Sequence, residues 1–101
     1  MDVKQVEILD RNIIAHGTNE ETVIAMEELS ELIKAISKVR RYGLIGDHKR
    51  NLIEEIADVN IVVCELMMMF DISYDDVSKV INRKIDRIAQ RLNKAEGKDE
   101  Q

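Results

Sequence analysis

The chain has 101 residues, with 20 Asp and Glu against 15 Lys and Arg and a formal net charge of −5 at pH 7. This length suits one domain, and 45% hydrophobic with 35% charged residues argues against a disordered protein. The absence of proline and the 3% aromatic content disfavour a strand-rich fold, and the acidic balance gives no general affinity for nucleic acid or anionic membranes.

The first part of the chain is predicted to form two helices. Apolar residues at helical spacing indicate a first helix over about 2–15, which a His-Gly pair ends. Thr18 and Glu21 have the spacing of a capping box, so a second helix is expected to begin at Thr18 or at the next residue. It should run to Tyr42, where Gly43 supplies a left-handed stop.

The second part of the chain is predicted to add two more helices. Asp47 is a suitable N-cap for a third helix over about 48–70, and Ser73 is one for a fourth helix over about 74–95. Residues 96–101 contain no large apolar side chain and are expected to form a flexible tail. The sequence therefore predicts a bundle of four or five long helices followed by a tail.

The third helix is apolar on almost every side. Its apolar residues are Leu52, Ile53, Ile56, Val59, Val62, Val63, Leu66, Met67, Met68, Met69 and Phe70. Such a helix is buried by more neighbours than a monomer of this size provides. We therefore expect a single all-α domain over 1–95 that assembles into a homodimer or homotetramer. A central helix in a monomeric bundle is the alternative.

Two of the helices carry an acidic pair on or beside their apolar face. On a helical wheel, Glu28 lies inside the apolar arc of the second helix and Glu31 lies at its edge. Glu55 lies inside the apolar arc of the third helix, and Asp58 lies at its edge. Residues three apart on a helix are neighbours, so each pair brings two negative charges close together.

Converging carboxylates repel one another unless a cation compensates their charge. A ligand set made only of carboxylates selects a hard ion, and Mg²⁺ or Mn²⁺ suits such a site when substrate phosphates complete the coordination shell. The alternative to metal ligation is that the acidic residues form a solvated face, and this interpretation stays open for Glu27. For Glu28 and Glu55 the wheel positions favour metal ligation.

The fourth helix places positive charge beside its apolar face. Lys84 lies inside the apolar arc, Arg87 and Arg91 lie along one border, and Asn82 lies on the other border. Two interpretations stay open at this point. The long stems can cover apolar surface while the charged heads reach water, or the stripe can hold a polyanion.

No segment of the sequence is typical of export or of a membrane span. Asp2, Glu7 and Asp10 interrupt the region where a signal peptide needs an apolar run. The longest apolar stretch, 61–70, contains a glutamate and is too short to cross a bilayer. Cys64 is the single cysteine, which fits a reducing compartment. We expect a cytoplasmic protein with no membrane or nucleic-acid partner.

Taken together, the acidic and basic segments resemble a known family. Residues 27–31 (Glu-Glu-Leu-Ser-Glu) and 54–58 (Glu-Glu-Ile-Ala-Asp) resemble the ExxE and ExxD motifs of the MazG-like all-α nucleoside triphosphate pyrophosphohydrolases. Residues 82–87 (Asn-Arg-Lys-Ile-Asp-Arg) resemble the N-x-K-x-x-R segment of many MazG-type domains. The resemblance covers about 20–92. One ExxE motif alone is uninformative, but this ordered combination is fairly specific.

The resemblance implies Mg²⁺-dependent hydrolysis of an NTP or dNTP to the monophosphate and pyrophosphate, in nucleotide-pool housekeeping, with Mn²⁺ as a substitute ion. It implies Mg²⁺ ligation by Glu28, Glu31, Glu55 and Asp58. Lys84 and Arg87 would hold the triphosphate, with Asn82 as a further polar contact and Arg91 as part of the same stripe. Among the carboxylates we prefer Glu31 as general base, because water reaches the edge of the arc.

A non-catalytic helical oligomer that binds metal or regulates a partner is the alternative function. The basic stripe favours the enzyme, since a structural metal site needs no phosphate clamp. Aromatic side chains that could stack on a base are scarce, so base recognition is expected from aliphatic side chains or from the first helix. His16 and His48 are expected to be loop and cap residues rather than ligands.

Overall fold

The structure, a computed structural model, describes residues 1–97. Within these residues it contains four α-helices and no strand, which confirms the all-α fold: α1 (Val3–His16), α2 (Thr18–Tyr42), α3 (His48–Met69) and α4 (Tyr74–Ala95). Each boundary lies within one residue of its predicted position. Of the predicted flexible tail, 96–101, the structure describes the first two residues, and 98–101 lie outside the described residues. Of the helices in the described range, none is long and apolar enough to cross a membrane.

By its internal contacts the chain divides into two compact units. The first, Met1–Asp71, contains α1, α2 and α3, and the second begins at Ile72 and contains α4. In the first unit α2 and α3 form an antiparallel hairpin around the connector 43–47 and share the most extensive interface. Helix α1 packs against both of them. Any site between α2 and α3 therefore has α1 as a neighbour.

The junction between α1 and α2 differs from the prediction. α1 begins with an unpredicted capping box, in which the Asp2 carboxylate accepts from the Gln5 N–H at 2.8 Å and the Gln5 side chain accepts from the Asp2 N–H at 3.0 Å. The predicted Thr18–Glu21 capping box is wrong, because α2 has Gly17 as its N-cap and no side-chain cap bond. A φ of +89° at Gly17 lets one residue join the two helices.

The other helix ends follow their predicted residues, with one exception. Gly43 ends α2 with a φ of +81°, a conformation that glycine adopts readily. Ser73 caps α4, since its Oγ accepts a hydrogen bond from the Asp76 N–H at 3.1 Å. Asp47 occupies the N-cap position of α3, but its carboxylate pairs with Arg50 rather than with the helix backbone. The predicted cap position is thus right, and the capping bond is missing.

The apolar core of the described chain is small. Its buried apolar side chains are Ala25, Ala35 and Val62. Large apolar side chains of α3 stay exposed, including Ile53 at 58% and Ile56 at 45%. Burial of apolar surface is the main driving force of folding, so these exposed faces suit contact with a further surface. They support the expected oligomer, which stays a prediction.

Candidate metal centre

Three carboxylates meet at the interface between α2 and α3. Glu28 comes from the middle of α2, and Glu55 and Asp58 come from one turn of α3. One carboxylate oxygen from each residue lies within 4.8 Å of the other two. All three side chains are half-buried, because the helices that carry them pack against each other. We call these three residues the carboxylate cluster.

Burial and repulsion favour protonation of two members of the carboxylate cluster, Glu28 and Glu55. Desolvation raises the pKa of Glu28 above its ordinary value of 4.5, and the negative charges of Asp58 and Glu55 raise it further. Desolvation also raises the pKa of Glu55, with the charges of Asp58 and Glu31 adding to the effect. Raised carboxyl pKa values mean that ionisation of these groups opposes folding.

One oxygen of the carboxylate cluster lacks a partner. Glu55 Oε2 is shielded from solvent and accepts no hydrogen bond from any residue that the structure describes. Shielded polar atoms normally have a partner, and leaving one without a partner is costly. Mg²⁺ and similar hard cations take oxygen ligands such as carboxylates. The donor set and the orphaned oxygen therefore fit a divalent cation.

Glu31, the fourth predicted ligand, lies outside this group of three. It follows Glu28 by one helical turn, and its Oε1 lies 3.3 Å from Lys34 Nζ. The Glu31 side chain is 49% exposed, and an exposed pair of this kind contributes at most about 1 kcal/mol. Its charge still raises the pKa of both Glu28 and Glu55. Its roles as ligand and general base stay predictions. Glu27 is exposed, in keeping with a solvated face.

The predicted phosphate-binding residues all lie on α4, in the second unit. They are exposed and fall within ten consecutive positions of this helix: Asn82, Lys84, Arg87 and Arg91. Arg87 and Arg91 border a surface hollow of about 320 Å³. The three cations are therefore open to solvent, and their contact with a triphosphate stays a prediction.

A cavity beside the carboxylate cluster contains further polar residues. It has a volume of about 250 Å³ and shares Glu28 and Asp58 with the cluster. Its other polar lining residues are Asn12, His16, Glu21 and Glu65. His16 is the last residue of α1 and faces this cavity, so the expectation of a loop residue is wrong. We call this space the α1 cavity.

Two glutamates of the α1 cavity are almost completely buried. Glu21 is 3% exposed and Glu65 is 4% exposed. His16 Nδ1 lies 3.2 Å from Glu21 Oε1, and Asn12 Nδ2 donates a hydrogen bond to Glu65 Oε2 at 3.0 Å. The sequence carries a signal for both, because each lies seven residues from a member of the carboxylate cluster. That spacing keeps two side chains on one helix face.

The arrangement combines two chemical capacities at one place in the fold. The carboxylate cluster offers oxygen ligands to a hard cation, and the α1 cavity next to it offers polar contacts to a small group. A ligand that suits both parts of the site has an anionic end, which binds the cation, and a second end with hydrogen-bonding groups, which enters the α1 cavity.

Comparison with known proteins gives one informative match. Residues 18–93, about three-quarters of the chain, match the MazG nucleotide pyrophosphohydrolase domain. No curated protein and no solved structure gives a significant match. The matched residues contain both acidic motifs and the basic segment of α4, and the all-helical fold agrees with them. The chain belongs to the MazG nucleotide pyrophosphohydrolase family.

Proposed function

We propose that this protein is a nucleoside triphosphate pyrophosphohydrolase that depends on a divalent cation, Mg²⁺ or in its place Mn²⁺. It would convert an NTP or dNTP into the monophosphate and pyrophosphate. The observation that carries the proposal is the meeting of Glu28, Glu55 and Asp58, with oxygen atoms within 4.8 Å of one another. The family match supports the reaction class, and both acidic motifs lie within the matched residues.

The carboxylate cluster would hold the cation. Glu55 Oε2, which has no partner among the described residues, would gain one, and the repulsion between the carboxylates would fall. Glu31 would join the ligand set by turning away from Lys34, at little cost because that pair is exposed. When bound, Mg²⁺ supplies positive charge that polarises the phosphoryl oxygens of the substrate.

Glu31 is the residue that we propose as general base. Its side chain is 49% exposed and lies one helical turn from Glu28, so solvent water reaches it. A carboxylate in this position can accept a proton from an attacking water molecule. The water oxygen then bonds to the α-phosphorus while the bond to the leaving pyrophosphate breaks.

The polar residues of α4 are proposed to hold the triphosphate. Lys84, Arg87 and Arg91 carry positive charge, and Asn82 adds an amide donor. Guanidinium and ammonium groups form strong, charge-assisted hydrogen bonds with phosphate oxygens. Donors of this kind stabilise the charge that develops on a leaving pyrophosphate.

We also propose that residues 1–95 act as one domain within a homodimer or homotetramer. The small apolar core and the exposed apolar side chains of α3 support assembly. A cytoplasmic place in nucleotide-pool housekeeping is proposed as well, in keeping with Cys64 as a free thiol. The proposal includes no nucleic-acid or membrane partner.

Turnover of a nucleotide panel tests the proposed function. Folded protein is incubated with NTPs and dNTPs in the presence of Mg²⁺, and the products are separated by anion-exchange chromatography. We expect equal amounts of monophosphate and pyrophosphate, and no product in EDTA. Diphosphate and orthophosphate would contradict the proposed cleavage site. A folded protein that converts no nucleotide would instead favour the non-catalytic metal-binding or regulatory role.

A further inference from the structure

The best hydrogen-bond donors of the α1 cavity are already engaged within the protein. Asn12 Nδ2 donates to Glu65 Oε2 at 3.0 Å. His16 Nδ1 lies 3.0 Å from the backbone oxygen of Asn12 and 3.2 Å from Glu21 Oε1. Both of these oxygens are acceptors, so Nδ1 of His16 carries the proton.

The polar atoms left for a ligand are mainly acceptors. Glu21 Oε2 and Glu65 Oε1 have no hydrogen-bond partner among residues 1–97. The same holds for Asn12 Oδ1. Against these acceptors stands one remaining N–H of the Asn12 amide. The cavity therefore matches a ligand that donates hydrogen bonds.

The two buried carboxylates keep acceptor capacity for such a ligand. A carboxylate has two oxygens and can accept about four hydrogen bonds. Glu21 and Glu65 are only 3% and 4% exposed, and the structure gives each of them one close polar contact. The second oxygen of each carboxylate is not sealed off, because Glu55 Oε2 is the one solvent-shielded side-chain oxygen without a partner among the described residues. These second oxygens can therefore accept hydrogen bonds from a ligand in the cavity.

The position of the α1 cavity assigns it to the nucleobase. It adjoins the carboxylate cluster, where the phosphates are proposed to bind, and in a nucleotide the sugar and then the base follow the phosphates. Glu21 and Glu65 each lie two helical turns, about 10 Å, from a cluster residue on the same helix. A volume of 250 Å³ equals that of about eight water molecules, which is enough for a nucleobase.

We propose that the α1 cavity binds the base and selects bases with an exocyclic amino group, with Glu21 and Glu65 as specificity-determining residues. This inference rests on the proposed function. Cytosine and adenine present an amino donor, where uracil and hypoxanthine present a carbonyl oxygen. The carbonyl lone pairs would face the carboxylate oxygens, so the keto base is disfavoured.

Two matched nucleotide pairs test the proposal with the unmodified protein. The base of CTP carries an amino group where the base of UTP carries a carbonyl oxygen. ATP and ITP differ in the same way. We expect kcat/KM to be about 10- to 100-fold higher for the amino member of each pair. Equal values within both pairs, with monophosphate and pyrophosphate formed, would overturn this inference and leave the proposed function intact.

Glutamine variants separate selectivity from a structural role. Glu65→Gln and Glu21→Gln keep the side-chain shape but add an amide N–H that can donate to a carbonyl oxygen. Each should lower kcat/KM for CTP and raise it for UTP, so that the ratio falls to about one or inverts. Glu20→Gln removes the same charge from the same turn of α2 at an exposed position and should keep the wild-type ratio. Parallel losses for CTP and UTP would contradict the proposal.

Binding provides a readout that does not depend on turnover. Calorimetric titration of the folded protein with CTP and with UTP should give a Kd about 10- to 100-fold lower for CTP. This preference would stand even if no nucleotide is hydrolysed, in which case the proposed function alone fails. Equal Kd values for the two nucleotides would overturn the inference.

Discussion

Replacing Glu55 with glutamine is expected to lower kcat/KM by at least about 100-fold and to raise the Tm of the metal-free protein by a few degrees. Activity falls because the variant loses a proposed cation ligand, and loss of residues that merely support such ligands already costs 10- to 100-fold. Stability should rise because burial and the charges of Asp58 and Glu31, which together raise the pKa of Glu55, no longer act against an ionised group. Glu28→Gln should behave alike, since burial, Asp58 and Glu55 raise its pKa.

The matched control for this pair of effects is Glu54→Gln. Glu54 is exposed, precedes Glu55 on α3, and makes the smallest charge contribution to the raised pKa of Glu55. Glu54→Gln should keep kcat/KM within about twofold of wild type and should change the Tm less than Glu55→Gln does. Thermal melts in EDTA, followed by circular dichroism, give the comparison. A Glu55→Gln protein that melts well below wild type would favour a structural role for the carboxylate.

The same repulsion makes the expected gain in stability depend on pH. Because the folded-state pKa values of Glu28 and Glu55 lie above 4.5, the folded protein retains protons that the unfolded chain has released. The stability of the metal-free protein therefore falls as pH rises from 4.5 through the raised pKa values. The Tm difference between Glu55→Gln and wild type should be largest above these pKa values and should shrink as pH approaches 4.5.

Replacing Arg87 with glutamine should lower kcat/KM by about 10- to 100-fold, the range expected for a lost hydrogen bond to a charged group. Arg87 is exposed, so the change should leave the Tm nearly unaltered. Lys84→Gln should cause a loss of similar size. The measurement is steady-state kinetics with one nucleotide at saturating Mg²⁺.

Arg83→Gln is the control for the basic stripe. Arg83 is exposed on the same helix and carries the same charge, but it lies off the stripe that borders the apolar face. The loss from Arg87→Gln should also shrink as ionic strength rises, because salt screens exposed charges. Equal activities of the Arg83 and Arg87 variants would mean that the stripe does not hold the triphosphate.

The helix ends that were predicted correctly are determined by residues that lie close together in the chain. Gly43 provides the positive φ that ends α2, and Ser73 caps α4 through a residue three positions away. The two errors arose where another partner competed for the side chain. Asp47 pairs with Arg50 instead of the backbone, and Glu21 lies in the α1 cavity instead of capping α2.

The part of the candidate site that could be predicted is the part that follows from the residue pattern of each single helix. Glu28 and Glu55 lie within apolar arcs, and the arcs of α2 and α3 face each other, so their half-burial follows from the wheel. The burial of Glu21 and Glu65 depends also on α1, which supplies His16 as a contact. Helix periodicity does not say which surface a neighbouring helix covers, and this is why the α1 cavity escaped prediction.

Magnesium binding to wild type and to Glu55→Gln tests most directly whether the carboxylate cluster is a cation centre. A ligand at 100 times its Kd stabilises a folded protein by about 2.7 kcal/mol, which corresponds to roughly 10–20 °C in Tm for a domain of this size. We expect such a rise for wild type with Mg²⁺, and little or none for Glu55→Gln, which is already more stable without metal. A wild-type protein that gains no stability from Mg²⁺ or Mn²⁺, or a variant that gains as much as wild type, would contradict this account.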